Sequence, residues 1–165
     1  MGTTPDPEQQ RLDEYFLRRS FDVARRSLTH GNHPFGAILV NEQQVLIEVE
    51  NGYMPSRDGT AHAERLLATT ACTTLTLDVL ARATLYSSAE PCAMCAGAIY
   101  WAGIGRVVYG LGEHRLRAIT GDHPENPTLD LPCREVFKSG QRATEVVGPL
   151  LEDEAAALHD GVWTR

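Results

Sequence analysis

Long apolar runs, an excess of basic charge and abundant cysteine are all missing from this chain of 165 residues. No stretch stays apolar over the roughly 20 residues that a membrane-spanning helix needs, so we expect no membrane partner. The first six residues lack the hydrophobic region of a signal peptide, and Asp6 departs from the myristoylation pattern. With only four cysteines, a disulfide framework is not expected, and the sequence favours the reducing cytoplasm.

The residues that are present suit one globular domain. The length is close to the common domain size, and a hydrophobic content of 42% is enough for one buried core. The sequence shows neither an internal repeat nor a linker. We therefore expect residues 1–165 to form a single domain.

Acidic residues outnumber basic ones by 22 to 15, which gives a net charge of −7. Residues 51–110 carry four charges of each sign, so the acidic excess lies towards the two ends of the chain. Proteins that bind nucleic acid normally present a basic surface. The pairs Arg18-Arg19 and Arg25-Arg26 belong to an amphipathic segment and are expected on its solvated face. The charge therefore favours a small-molecule partner and disfavours nucleic acid.

Two short motifs carry the chemistry. His62-Ala63-Glu64 is followed, after twenty-six residues, by Pro91-Cys92-Ala93-Met94-Cys95. Together they offer three zinc ligands, His62, Cys92 and Cys95, and one carboxylate, Glu64, that the ion does not need. Catalytic zinc has three protein ligands and an exchangeable fourth position, whereas structural zinc is closed by four. The pattern favours an enzyme over a zinc site that only stabilises the fold or a redox pair of cysteines.

The spacing of these residues predicts where they lie on helices. Cys92 and Cys95 are three apart, so on a helix that begins after Pro91 they share a face. His62 and Glu64 are two apart and would diverge in a helix interior, but in a first turn both can reach one centre. Thr60 is the expected N-cap of that helix. We therefore expect two helix N-termini to converge on one zinc ion, with Glu64 moving a proton between water and substrate.

Periodicity and turn residues predict helices that alternate with strands. Such a pattern implies a mixed or parallel sheet in a three-layer α/β/α domain, with the site at the carboxyl end of a strand. The expected helices are an amphipathic one within 8–28, then 61–72, a helical turn at 77–81, 92–102, 132–138 and 152–159; the expected strands are 35–40, 45–51, 84–88, 106–110 and 144–150; and 121–127 is expected to be a loop.

The remaining cysteines and histidines are not expected to bind zinc. Cys72 and Cys133 are expected to be buried as small apolar side chains. The other histidines lack ligand partners at useful spacing and are expected in loops or on the surface, with His33 the only one near the pocket. They are His30, His33, His114, His123 and His159.

The motifs and their flanks resemble the zinc-dependent cytidine and deoxycytidylate deaminase superfamily. Within it, the chain is most similar to the branch of guanine deaminases, tRNA adenosine deaminases and bacterial nucleoside deaminases. The similarity spans roughly residues 10–110 and is carried by positions 34–37, Asn51, 60–64, 85–86, 90–95 and 97–102. It implies a mixed five-stranded sheet, one zinc ion per chain, hydrolytic release of ammonia and a homodimer.

The resemblance also implies roles for individual residues. Glu64 corresponds to the group that takes a proton from water and delivers it to a ring nitrogen and then to the leaving amine. Asn51 and the backbone N–H of Ala63 correspond to groups that hydrogen bond to the substrate. Phe35 and Trp101 correspond to apolar or stacking walls, although packing in the core or at a subunit interface is an alternative role for such aromatic residues.

The sequence favours a small-molecule purine as the substrate, because the flanks of both motifs look like those of purine-acting relatives. An adenine-type nucleoside, including modified ones such as aminodeoxyfutalosine, is the first expectation, since the tail around 126–132 departs from guanine deaminases. The acidic residues Glu152-Asp153-Glu154 would repel RNA phosphates near the C-terminus. Guanine or guanosine deamination, wobble-adenosine deamination in tRNA and a catalytically silent zinc-binding regulatory protein remain as alternatives.

Overall fold

A computed structural model of the protein describes residues 6–164. The segment 1–5, on which the expected lack of a signal peptide largely rests, and Arg165 lie outside the described residues. Within the described range, seven helices and five strands alternate along the chain. They are α1 (Pro7–Thr29), β1 (Gly36–Asn41), β2 (Gln44–Glu50), α2 (Ala63–Thr74), α3 (Leu77–Arg82), β3 (Thr84–Ala89), α4 (Ala93–Ala102), β4 (Arg106–Leu111), α5 (Glu113–Thr120), α6 (Cys133–Lys138), β5 (Glu145–Val147) and α7 (Glu152–Ala157).

The five strands form one mixed sheet with the order β2-β1-β3-β4-β5. β1 pairs antiparallel with both β2 and β3, whereas β3, β4 and β5 run parallel. The register places Leu39 opposite Leu85, and Leu85 opposite Val107. This arrangement confirms the α/β class with a mixed five-stranded sheet.

Alternate residues of the strands supply two cores, one on each face of the sheet. Leu39, Leu85 and Val107 pack with residues of α2, α3, α4 and α6. Their neighbours Ile38 and Val108 point to the other face, where α1, α5 and α7 cover them. Successive side chains of a strand point to opposite faces of the sheet. When consecutive residues of a strand are all buried, both faces must therefore be covered by helices. The three-layer α/β/α architecture follows.

Helix α1 approaches the sheet closely at Gly36. A Cβ atom at this position would lie 2.5 Å from the backbone nitrogen of Ala24 and 2.8 Å from the carbonyl oxygen of Ser20. A partly buried ion pair adds to the attachment, because two guanidinium nitrogens of Arg106 each donate to the carboxylate of Asp13 at 2.7 Å. This fixes the α1 layer on the sheet beneath β1, β3 and β4.

Several sequence expectations are corrected by the structure. Helix α5 was not anticipated, and α2 starts at Ala63 rather than at residue 61. The hydroxyl of Thr60 donates to Asp58 instead of capping α2, whose N-cap is His62. Cys133 is buried as expected, but Cys72 is exposed. His159 is 2% exposed and therefore belongs to the interior, not to the surface.

Within the described part of the chain, none of the helices combines the length and the apolar character that a membrane crossing requires.

Candidate active site

The centre lies where two helices begin at the carboxyl end of β3. His62 is the N-cap of α2 and Cys92 is the N-cap of α4, and both have an extended backbone. Because these two residues are not helical, their side chains need not follow the rotation of about 100° between successive residues of a helix. Glu64 and Cys95 follow in the first turns, so each helix contributes one residue from its cap and one from its start. This resolves how His62 and Glu64, two apart in sequence, serve one centre.

The three predicted zinc ligands form a compact group. The ligand atoms of His62, Cys92 and Cys95 all lie within 4.8 Å of one another. His62 Nδ1 is 3.6 Å from Cys92 Sγ and 3.5 Å from Cys95 Sγ. A tetrahedral zinc ion with a Zn–S distance of about 2.3 Å and a Zn–N distance of about 2.0 Å separates such atoms by about 3.5 Å. The three side chains therefore fit a single zinc ion.

The electrostatics of Cys92 suit a metal ligand, whereas the hydrogen bond with Cys92 and burial raise the pKa of the Cys95 thiol. The pKa of the Cys92 thiol is lowered to about 4, mainly by a hydrogen bond from Cys95 and also by His62. The pKa of His62 is raised, chiefly by its hydrogen bond with Cys92. Cys92 is thus held as a thiolate by neighbouring donors, which is the state that zinc requires.

Glu64 lies beside the ligands and is itself buried, at 5% exposure. The Ser87 hydroxyl on β3 donates to Glu64 Oε1 at 2.7 Å and fixes the orientation of the carboxylate. Burial raises the pKa of Glu64 above its ordinary value. A carboxylate with a raised pKa binds a proton more readily, so the site provides an oriented group for proton uptake and release.

These residues define the chemistry that the site can perform. When bound, zinc acts as a Lewis acid that makes water nucleophilic near neutral pH. Glu64 is the buried carboxylate next to the ligand group, so it is the side chain placed to take up a proton from such a water and release it to a substrate. Ser87 keeps Oε1 of Glu64 engaged and so holds the carboxylate in place beside the ligand group.

A cavity of about 510 Å³ opens above the ligands. Its volume is within the usual range for a small-molecule site. The residues on its walls come from the turn before β1, the segment between β2 and α2, the start of α2, the connection from β3 to α4, α5 and the loop 121–132. They are His33, Phe35, Asn51, Tyr53, Arg57, Asp58, Gly59, His62, Glu64, Ala89, Glu90, Cys92, Met94, Glu113, Leu116, Pro124, Glu125, Asn126, Pro127, Thr128 and Leu129.

Two of the expected substrate-binding residues line this cavity. Asn51 is 8% exposed, and its Oδ1 accepts the backbone N–H of Tyr53 at 2.8 Å. The amide NH₂ of Asn51 is therefore the group left for a substrate acceptor. Phe35 lines the cavity and packs against His159 with ring centroids 5.3 Å apart.

Ala63 and Trp101, the other two expected substrate-binding residues, are not among the residues that line the cavity. Ala63 is buried and starts α2, where backbone N–H groups have no acceptor within the helix. Trp101 is 82% exposed at the end of α4 and is absent from the residues that line the cavity. Trp101 therefore does not line the cavity of its own chain, and its role as a substrate wall stays a prediction. It lies on the outer side of α4, away from the helix start that carries Cys92.

Sequence reasoning missed several residues of the site. Ser87 gave no signal, because a serine in a strand has no fixed partner until the sheet is formed. Glu113 belongs to the unanticipated helix α5, and its only signal was that it lies two residues beyond the end of strand β4. His33 was expected near the pocket, but not its hydrogen bond with the Glu125 carboxylate, at 2.8 Å, or its stacking on Trp163, with ring centroids 4.3 Å apart. Those contacts join segments far apart in sequence.

Comparison with known families decides the assignment. A sequence model described as the cytidine and deoxycytidylate deaminase zinc-binding region matches residues 10–111, a range that contains both motifs. The chain belongs to this deaminase family. The resemblance noted at the motifs is thereby confirmed, and so are the zinc cofactor and the hydrolase class.

Relatives and solved structures agree with this assignment. A probable cytosine deaminase of Schizosaccharomyces pombe is 38% identical over 94% of this chain and 95% of its own length. The guanine deaminase of Bacillus subtilis is 40% identical over 74% of this chain and 80% of its own length. A solved structure from work on tRNA:A34 deaminases has a TM-score of 0.67 and 30% identity, over 88% of this chain and 99% of that one.

The family and the site together establish the reaction class. This deaminase is a zinc-dependent hydrolase that removes an amino group by breaking a C–N bond. Its substrate is a nucleobase, a nucleoside or a tRNA adenosine.

Proposed function

We propose that this deaminase acts on a small-molecule purine, with an adenine-type nucleoside as the favoured substrate. The observation that carries the proposal is the charge of the cavity. The acidic side chains of Asp58, Glu90 and Glu125 line it beside the carboxyl groups of Glu64 and Glu113, and Arg57 supplies the only guanidinium among the described lining residues. Such walls repel phosphates and accept a neutral base or nucleoside.

The outer surface supports the same conclusion. Arg18 forms an ion pair with Glu154, and Arg19 and Arg26 both pair with Glu48. Arg115 on α5 forms an ion pair with Asp153 at the start of α7. Arginines that are already paired with carboxylates on the protein contribute little to binding a phosphate backbone.

The polar groups of the cavity match the proposed substrate. The amide NH₂ of Asn51 donates to an acceptor, and the ring nitrogens of adenine are acceptors. Phe35 supplies an apolar wall for the base. Glu64 delivers protons to the ring nitrogen next to the reacting carbon and then to the leaving amine, so that ammonia and the hydroxylated ring product result.

Cytosine is a second candidate. The fission yeast relative, named a probable cytosine deaminase, matches 156 residues and so includes most of the tail that contributes to the cavity. Guanine is a third, because the Bacillus subtilis relative is a guanine deaminase. Both bases also carry acceptors for Asn51, so a direct measurement must separate them.

The first prediction concerns substrate choice. The zinc-loaded protein is expected to release ammonia from adenosine-type nucleosides with a kcat/KM at least about 10-fold above that for guanosine, guanine, cytidine and cytosine. A tenfold ratio corresponds to the free energy of about one hydrogen bond between substrate and protein. An anticodon stem-loop is expected to show no gel shift at low salt, where electrostatic binding is strongest. Salt-sensitive binding of the stem-loop together with deamination of its adenosine would overturn the proposal.

We also propose that the protein forms a homodimer in the cytoplasm. Helix α4 contains no charged residue, yet Trp101 on it is 82% exposed. An uncharged, partly exposed helix is typical of an interface. The cytoplasm is proposed because Cys92 and Cys95 must stay reduced to bind zinc.

Trp101→Glu is expected to weaken dimerisation by about 30-fold or more, because it places a charge at a central aromatic contact. Light scattering after size-exclusion chromatography measures the change. Tyr15→Glu, at an exposed aromatic residue on α1, is the matched control and should leave the dimer intact. A wild-type protein that is monomeric at micromolar concentration contradicts the dimer.

A further inference from the structure

Glu90 and Glu113 are two buried carboxyl groups with very different surroundings. Glu90 Oε1 accepts the backbone N–H of Glu113 at 3.0 Å, and its Oε2 accepts the backbone N–H of Cys133 at 2.8 Å. One carboxylate thus binds the first residues of both α5 and α6. The position of Glu113 on the cavity wall is fixed by this contact rather than by any contact of its own side chain.

The side chain of Glu113 accepts no hydrogen bond from the described residues, although the residue is only 5% exposed. It faces the cavity near Cys92 and Glu64. Burial, followed by the negative charge of Cys92, raises the pKa of Glu113 to about 8. The carboxyl group has no protein partner in the described part of the chain and lines the cavity, so a ligand in the cavity can complete its hydrogen bonds.

We propose that Glu113 is a specificity-determining residue that hydrogen bonds to an O–H or N–H donor of the substrate other than the reacting amine. The proposal rests on the proposed small-molecule function and names a contact within that same site. Glu64 already serves the leaving amine, whereas Glu113 belongs to a different helix that lines the cavity. The donor is a sugar hydroxyl if the substrate is a nucleoside, or a ring N–H if it is a free base.

A purely structural role makes a different prediction. Glu113 is in the first turn of α5, where a negative side chain stabilises the helix dipole. If that were its role, replacing it would lower the melting temperature. If the carboxyl group instead binds the substrate, replacing Glu113 with an apolar residue of similar size removes a largely buried polar group that has no protein partner among the described residues. The melting temperature of the free protein then rises while activity falls.

The test uses Glu113→Leu and Glu113→Gln in the full-length, zinc-loaded protein. With the substrate that the wild-type protein turns over best, Glu113→Leu is expected to lower kcat/KM by about 10- to 100-fold, the range for losing one hydrogen bond to a polar or charged group. The loss should appear mainly in KM, because the contact exists in both the ground state and the transition state. Glu113→Gln, which keeps a hydrogen-bonding side chain, should recover most of the activity.

Analogues identify the donor. The loss caused by Glu113→Leu should shrink to less than about threefold on the analogue that lacks the contacted group, since neither protein can then make the bond. A 2′-deoxy or 3′-deoxy nucleoside tests the sugar hydroxyls, and an N-methylated base tests the ring N–H. Zinc content should remain one ion per chain, and the melting temperature of Glu113→Leu should rise by about 3 °C.

Three results would overturn the assignment of Glu113. They are a kcat/KM of Glu113→Leu within threefold of wild type, an equal loss on every analogue, and a lowered melting temperature in both variants. These outcomes are separate from failure of the proposed function. If the wild-type protein deaminates only a tRNA stem-loop, the small-molecule proposal fails, and the same variants assayed on stem-loops with single 2′-deoxy positions still decide the role of Glu113.

Discussion

Glu64→Gln is expected to reduce deamination by about 10⁴-fold, at the upper end of what one proton-transfer group contributes. Gln has nearly the shape of Glu, and its carbonyl oxygen can still accept the Ser87 hydroxyl that now lies 2.7 Å from Oε1. An amide, however, cannot take a proton from water and return it to the substrate. Ammonia release under saturating substrate measures the loss, since kcat reports the chemical step.

The zinc centre should survive this substitution, because Glu64 is not among the three grouped ligands. Metal analysis is therefore expected to give one zinc ion per chain in both proteins. Glu42→Gln is a matched control, since that side chain is 77% exposed at the turn between β1 and β2. A Glu64→Gln variant with a near-normal rate would refute the role of Glu64 as the proton carrier.

Cys95→Ser is expected to remove both zinc and activity. Cys95 is fully buried, and its sulfur is one of three ligand atoms within 4.8 Å of each other. Serine is a neutral oxygen donor that does not replace a thiolate at neutral pH. If zinc is present at about 1,000 times its dissociation constant, its binding contributes about 4 kcal/mol to folding. Losing it lowers the melting temperature by about 8–16 °C in a domain of this size.

Chelation of the wild-type protein should produce the same fall in melting temperature, and added zinc should reverse it only in the wild type. Cys72→Ser is the control, because Cys72 is an exposed cysteine on α2 outside the ligand group. It should keep both zinc and activity. Full zinc occupancy in Cys95→Ser would contradict the assigned ligand set.

The catalytic centre was predictable because its information is local. His62 and Glu64 lie on one helix start and Cys92 and Cys95 on another, so spacing alone restricts the geometry. The detail that failed was the N-cap of α2. Thr60 has the chemistry of a cap, but Asp58 takes its hydroxyl, and His62 itself occupies the cap position. A local preference was overridden by a neighbouring hydrogen bond.

The substrate-binding walls were less predictable because they assemble from distant segments. His33 and Glu125 are separated by 92 residues and meet only when the loop 121–132 folds over the cavity. The backbone of Glu113 is held by a hydrogen bond to the Glu90 carboxylate, and the two residues lie before and after α4 in the sequence. Trp101 is next to the motif in sequence, yet it lies outside the cavity of its own chain. Sequence spacing carries no information about such long-range contacts.

Ammonia release from adenosine, guanosine, guanine, cytidine and cytosine is the most direct test of the central claim, that this zinc centre deaminates a small-molecule base or nucleoside. The assay requires protein with one zinc ion per chain, measured beside Glu64→Gln and the chelated form. We expect turnover by the wild type, highest with adenosine, and a loss of about 10⁴-fold in Glu64→Gln. Zero turnover of every compound by the zinc-loaded wild type would contradict it and favour a catalytically silent zinc-binding regulatory protein.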